Sequence, residues 1–129
     1  MSVDALKPEL VREFVAVAHG NLARVQALIS AEPALVNACW DWGGGDWETG
    51  LGAAAHTGQK EIARLLLAQG ARLDIFCAAM LGKIELVRAF LADNPDSVHL
   101  KGPHGIPLLT HALAGQQDDI VALLQAAGA

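Results

Sequence analysis

The sequence predicts an all-α solenoid of about four stacked helix pairs with two long loops, and three observations support this prediction. Four segments of the 129-residue chain share one rhythm: a short helix, a turn at or near glycine, and a second helix. Alanines dominate the first helices, which allows close helix–helix approach. Apolar residues recur at helical spacing in the second helices. Because one such pair cannot bury its own apolar face, the pairs must stack.

The four segments are VAVAHGNLARVQALI, AAAHTGQKEIARLLL, CAAMLGKIELVRAFL and HALAGQQDDIVALLQ. Their turn positions are Gly20, Gly58 and Gly82, and in the fourth copy Gln116, which follows Gly115. A tight turn between helices usually needs positive φ, which glycine adopts at little cost. The first and third copies share a proline-containing ending (AEPALVN and DNPDSVH), so the chain reads as a duplicated pair of unlike repeats.

The second copy, LGAAAHTGQKEIARLLLAQGARLD, resembles the ankyrin repeat family pattern L-H-x-A-A…G…E-V-V…L-L-L…G-A-D. DDIVALLQAAGA matches the second half of that pattern, and GIPLL is a degenerate form of G-x-T-P-L-H. The resemblance covers about residues 8–129. It implies a single ankyrin-repeat domain, 1–129, and a non-catalytic scaffold that binds proteins through finger loops and the adjoining concave face. The implied repeats are approximately 8–38, 39–74, 75–100 and 101–129.

The spacing departs from the roughly 33-residue period of that family in an informative way. After the first copy the connection is about four residues too long and contains all three tryptophans. After the second copy Asp74 runs straight into Ile75, so a finger is missing there. We therefore expect the loops at 39–49 and 101–107 to face one another across a notch, forming a pocket or cleft.

The stretch WDWGGGDWET supplies most of the candidate binding residues. Tryptophan offers a broad apolar face with one donor, and the neighbouring carboxylates could accept bonds from hydroxyl or cationic groups. This combination suits a sugar, a quaternary amine or an arginine-bearing peptide. The alternative is structural: the indoles pack over neighbouring helices while the aspartates cap turns. The candidate residues are Trp40, Asp41, Trp42, Asp46, Trp47, Glu48 and, in the second loop, His104.

The favoured function is binding of a protein or peptide through loops 39–49 and 101–107 and the concave face between them. The alternative is a small-ligand or enzymatic pocket in the notch, where a carboxylate could pair with His104. No serine lies in a glycine-rich turn, so no enzyme is predicted. His19 and His56 precede helix turns and are expected to be structural. No HExxH or Cys-x-x-Cys spacing occurs, so no metal site or cofactor is predicted.

Composition limits the remaining partners. The formal net charge is −5 and the basic residues are scattered, which argues against nucleic acid and anionic membranes. No apolar run approaches the roughly 18 residues of a membrane span, and MSVDALKPEL lacks signal-peptide features, so a cytoplasmic location is expected. Cys39 and Cys77 are too few for a disulfide scaffold, and Cys77 is expected to be buried. The thin C-terminal cap predicts a monomer or weak homodimer.

Overall fold

The computed structural model describes residues 4–129, and most of them lie in eight α-helices. None of the described helices combines the length and the apolar character needed to cross a bilayer. The helices are α1 (Pro8–Val17), α2 (Leu22–Ala31), α3 (Gly50–His56), α4 (Lys60–Ala68), α5 (Ile75–Met80), α6 (Ile84–Asp93), α7 (Leu108–Ala114) and α8 (Asp118–Ala126).

The chain is mostly helical, as predicted, and the first long loop adds a short two-stranded antiparallel sheet that was not predicted from the sequence. Its strands are β1 (Cys39–Asp41) and β2 (Trp47–Thr49). Three single-turn 3₁₀ helices complete the structure, at Pro33–Asn37, Pro95–His99 and Pro103–Gly105. The first two coincide with the proline-containing endings AEPALVN and DNPDSVH, so these two similar sequences adopt the same local structure.

The helices pack as successive pairs in chain order, with each pair beside the next. Each first helix contacts the second helix that follows it, and the first helices form a row in which α3 lies between α1 and α5, and α5 packs against α7. The buried apolar residues form two clusters, one centred on α1 to α4 and the other on α5 to α8. Met80 and Cys77 of α5 belong to the first cluster, so the two halves of the core are joined through that helix. The Cys77 side chain is fully buried, as predicted.

The turns between paired helices use the predicted positions with one exception. Gly58 and Gly82 have φ of +68° and +83°, and Gln116 takes the same left-handed conformation with φ of 56°. Gly20 does not have positive φ, so the prediction fails there. Gly115 is small for another reason: a Cβ on it would lie 1.9 Å from the carbonyl oxygen of Met80.

The finger after the second copy is absent, as the short spacing predicts. Residues 69–74 alone connect α4 to α5. The Asp74 carboxylate accepts the backbone N–H of Cys77 at 2.8 Å, which caps α5 without any protruding loop. No protruding element of this connection therefore lies between the first long loop, residues 39–49, and the second, residues 101–107.

Candidate functional site

The first long loop is a β-hairpin, which we call the tryptophan hairpin (residues 39–49). Trp40 lies opposite Glu48 in the register of β1 and β2. The Asp41 carboxylate accepts the backbone N–H groups of Gly43 and Gly45 at 2.8 and 3.0 Å. These glycines and the one between them have positive φ, which a side chain would disfavour. The predicted turn-capping role of Asp41 is therefore confirmed.

The alternation of side chains along the strands separates the three tryptophans. Successive strand residues point to opposite faces, so Trp40, Trp42 and Glu48 share the face that meets the helices. Trp40 and Trp42 pack against the core cluster of α1 to α4. Trp47 points the other way and its surface is 59% exposed. Two indoles thus serve packing, and the third is available for contacts with other molecules.

The buried carboxylate of Glu48 is the centre of the site. Its side chain is 0% exposed, and the indole N–H of Trp42 donates to its Oε1 at 2.9 Å. The Nε2 atom of His19 lies 3.2 Å from Oε1. The Nε2 atoms of His56 and His104 lie 3.0 and 3.2 Å from Oε2. We call His19, Glu48, His56 and His104 the His–Glu cluster.

The cluster is assembled from separate parts of the chain. His19 follows the end of α1, Glu48 lies in β2 and His56 is the last residue of α3. His104 comes from the second long loop, where its backbone has φ of 62°. One potential ligand atom from each of the four side chains can be chosen so that all lie within 4.8 Å of one another.

The two long loops are in direct contact through Asp46 and His104. One carboxylate oxygen of Asp46 accepts the backbone N–H of His104 at 2.7 Å, and the other lies 2.7 Å from its ring Nδ1. The backbone N–H of His104 is the main reason that the pKa of Asp46 falls below its ordinary value of 3.8. The loops therefore face one another and touch at this point, and the contact holds both the position and the orientation of the imidazole.

The charges in the cluster are strongly coupled. Burial acts to raise the pKa of the Glu48 carboxyl, but its contacts with His19, His56 and Trp42 outweigh burial and hold the pKa well below the ordinary value of 4.5. The same carboxylate raises the pKa of His19 above 6.5.

The three imidazole rings of the cluster lie close together. The centroid of the His56 ring lies 5.0 Å from that of His19 and 5.2 Å from that of His104. At this separation two positive rings would repel by about 3 kcal/mol with an effective dielectric constant near 20.

A groove of about 380 Å³ lies on the other side of the hairpin, at the position of the missing finger. Trp47 and Thr49 of β2 form one wall, and Lys101 and Pro103 of the second loop form another. Phe76 of α5 also lines it, beside Asp74. The second loop thus contributes both to the His–Glu cluster and to the groove.

The sequence-predicted site residues divide between these two places. Trp42, Glu48 and His104 meet in or beside the His–Glu cluster, Asp46 touches both the cluster and the groove, and Trp47 lines the groove. Trp40 is packed against the core, and Asp41 caps the hairpin turn.

Sequence reasoning missed the participation of His19 and His56. Each precedes the turn of its helix pair by one or two residues, so stacking of the first two copies places the rings side by side. That shared position relative to the turn is the signal that could have identified the pair. His19 also contacts the backbone of its own helix, because its Nδ1 lies 3.0 Å from the carbonyl oxygens of both Val15 and Ala16.

Comparison with known proteins finds a family match for one part of the chain. The ankyrin repeat family model matches residues 46–77, which span β2, α3, α4 and the start of α5. No curated protein matches the chain at a significant level. Ankyrin repeats generally mediate protein–protein interactions and are typically non-catalytic scaffolds. The match identifies residues 46–77 as similar to an ankyrin repeat, within a row of paired helices.

Proposed function

We propose that the chain binds an extended peptide segment of a protein partner in the groove between the tryptophan hairpin and the second long loop. The observation that carries this proposal is the 59% exposure of Trp47 at the wall of an open groove. Tryptophan is enriched among the residues that dominate binding energy at protein interfaces. The proposed contact surface extends from loops 39–49 and 101–107 onto the concave face between them.

The lining of the groove suits a peptide with an apolar anchor residue. Trp47, Phe76 and Pro103 provide apolar surface at short range. Lys101 forms no ion pair with any of the described residues, so its ammonium is available to a carboxylate of the partner. The peptide we propose therefore places an aromatic or aliphatic side chain against Trp47 and an acidic residue near Lys101.

The walls of the groove are preorganised. The bonds between Asp46 and His104 hold the hairpin and the second loop together. A surface that is ordered before binding loses less conformational entropy when a partner binds, which favours affinity.

Selection from random linear peptides displayed on phage tests this proposal. We expect the chain to enrich sequences that share an apolar anchor and a nearby acidic residue. Affinities of the enriched peptides are then measured by fluorescence anisotropy. Trp47→Ala should weaken binding by roughly 10-fold or more, as expected for a residue that dominates an interface. Phe90→Ala is the matched control, because Phe90 is also aromatic and exposed, at 45%, and does not line the groove.

Two results would contradict the proposal. One is a selection that enriches no shared sequence pattern. The other is a set of peptides whose affinity for the Trp47→Ala variant equals their affinity for the Phe90→Ala variant.

A second candidate function is binding of a small ligand at the His–Glu cluster, where imidazoles and a carboxylate converge. The four candidate ligand atoms of the His–Glu cluster lie within 4.8 Å of one another, which leaves no room between them for an organic molecule. Imidazole nitrogens and a carboxylate oxygen are ligands typical of a metal ion.

A further inference from the structure

We propose that the His–Glu cluster binds a single divalent transition-metal ion of the zinc type. The ligands are the Nε2 atoms of three imidazoles and one carboxylate oxygen. This inference is independent of the peptide-binding groove, because it rests on different side chains and a different kind of ligand.

The donor set and its dimensions fit such an ion. Imidazole nitrogen and carboxylate oxygen are common ligands of zinc and of neighbouring divalent metals. In a tetrahedral zinc site with bonds of 2.0–2.1 Å, adjacent ligand atoms lie about 3.4 Å apart. The Nε2 atoms of the cluster already lie 3.0–3.2 Å from the Glu48 oxygens, and the candidate ligand atoms span at most 4.8 Å. Adjustments of about 1 Å in side-chain positions would complete the geometry.

The hydrogen-bond partners of Nδ1 define the tautomers of the His19 and His104 rings. Nδ1 of His19 faces two backbone carbonyl oxygens at 3.0 Å, and Nδ1 of His104 faces the Asp46 carboxylate at 2.7 Å. These oxygens can only accept, so each Nδ1 carries a proton. In the neutral ring the lone pair is then on Nε2 and points into the cluster. Metal-binding histidines commonly donate their other ring N–H to a carbonyl or a carboxylate in this way.

Among the described residues, Glu48 accepts one hydrogen bond of good geometry, from the indole N–H of Trp42 to Oε1. A metal ion would bind these rings in the neutral state, in which the Nε2 lone pairs of His19 and His104 face the oxygens of Glu48, and two acceptors cannot bond to each other. Oε2 of Glu48 and Nε2 of His56 are fully buried and have no hydrogen-bond partner of acceptable geometry among the described residues, although they lie 3.0 Å apart. A cation between these atoms would satisfy all of them at once. Two atoms that bind the same ion lie close together without a hydrogen bond between them, and this is the arrangement of Glu48 Oε2 and His56 Nε2.

The cluster is accessible to an ion from outside. The side chains of His19 and His104 are 28% and 32% exposed, whereas the Glu48 carboxylate is fully enclosed. The ring of Trp42 stands near both of these histidines, with centroids 6.3 and 6.4 Å away. A bound ion would connect the end of α1, the tryptophan hairpin, the end of α3 and the second long loop.

The test is binding of Zn²⁺ to the full chain after removal of metals with a chelator. Competition with a chromophoric chelator gives the affinity, and elemental analysis after dialysis gives the stoichiometry. We expect one Zn²⁺ per chain. His19→Ala and His104→Ala, which change partly exposed ligands, should each weaken binding by at least about 100-fold, more than loss of a supporting residue usually does. His99→Ala is the control, because His99 is exposed and lies outside the cluster.

Cobalt provides a second readout that does not depend on affinity. In the Co²⁺-loaded chain, each imidazole that coordinates through Nε2 should give a paramagnetically shifted, solvent-exchangeable Nδ1–H proton signal. We expect three such signals in the wild-type protein and the loss of one in each variant that still retains cobalt. Far-UV circular dichroism of every variant verifies that it is folded.

Several outcomes would overturn the proposal. They are the absence of stoichiometric Zn²⁺ in the folded wild-type chain, an equal affinity in the His19→Ala, His104→Ala and His99→Ala variants, and a cobalt spectrum without exchangeable imidazole signals.

Discussion

Replacement of Asp46 by asparagine tests the role that the structure gives to the contact between the two loops. Asp46 accepts two bonds from His104, one from the backbone N–H and one from ring Nδ1, both at 2.7 Å. Asparagine has a single acceptor oxygen and replaces the other with an NH₂ donor. One of the two contacts must therefore be lost. If the NH₂ group faces Nδ1, it favours the tautomer in which Nε2 carries the proton and cannot bind a metal.

The expected loss of metal affinity is moderate, because Asp46 contacts the proposed ligand His104 and does not itself bind the ion. Loss of such a partner typically lowers metal affinity by about 10- to 100-fold. The assay is competition for Zn²⁺ against a chromophoric chelator, with folding verified by circular dichroism. Asp41→Asn is the matched control in the same hairpin, because one oxygen of Asp41 accepts both glycine N–H groups and an asparagine oxygen can replace it. Zn²⁺ affinity in Asp46→Asn equal to that of Asp41→Asn would refute this reasoning.

Three further predictions concern stability, pH and fluorescence. Gly115→Ala should lower the free energy of unfolding by about 3 kcal/mol in urea titrations, because its Cβ would lie 1.9 Å from the Met80 oxygen. Gly20→Ala is the control: its Cβ would make an ordinary contact at 3.7 Å, so the free energy of unfolding should change little. In the metal-free protein, a neighbouring carboxylate raises the pKa of His19 above 6.5, so the protonated ring stabilises the fold below pH 6.5. That contribution should disappear as the pH rises through the raised pKa, and urea titrations of His19→Ala should not show this loss. Trp47→Phe should remove most of the acrylamide-accessible emission, because the other two tryptophans are partly buried; unchanged quenching would contradict the packing of the hairpin.

The helical part of the fold could be predicted because local residue choices and stacking agree. Gly58 and Gly82 mark the turns, and the apolar spacing of the second helices predicts which faces pack. Gly20 shows where the argument fails, since the turn before α2 does not use positive φ. Gly115 shows a different limit: its small size is required by contact with a carbonyl 35 residues earlier in the chain, at Met80, which sequence spacing does not reveal.

The tryptophan hairpin was predicted as a long loop rather than as paired strands. The Asp41 carboxylate holds the turn of three consecutive glycines through bonds to the backbone N–H groups of Gly43 and Gly45. Once the strand register is known, alternation explains why Trp42 and Glu48 point inward and Trp47 outward. The packing interpretation therefore describes Trp40 and Trp42, and the binding interpretation stays a prediction for Trp47.

The site was predicted only in part because its residues are distant in sequence. His104 and the hairpin carboxylates were recognised from their loops, and a carboxylate–imidazole pair was considered. His19 and His56 carry no metal-binding spacing, since each belongs to a different helix pair and the two meet only through stacking. A search for short motifs finds ligands supplied by a single helix or loop, and it misses ligands supplied by several.

X-ray absorption spectroscopy of the Zn²⁺-loaded chain tests the central claim most directly. The account predicts a first shell of nitrogen and oxygen atoms at about 2.0–2.1 Å, with outer-shell scattering from three imidazole rings. A sulfur atom at about 2.3 Å would instead indicate binding by a cysteine, of which Cys39 is the exposed one. Either that sulfur or a shell without imidazole scattering would contradict a metal site in the His–Glu cluster.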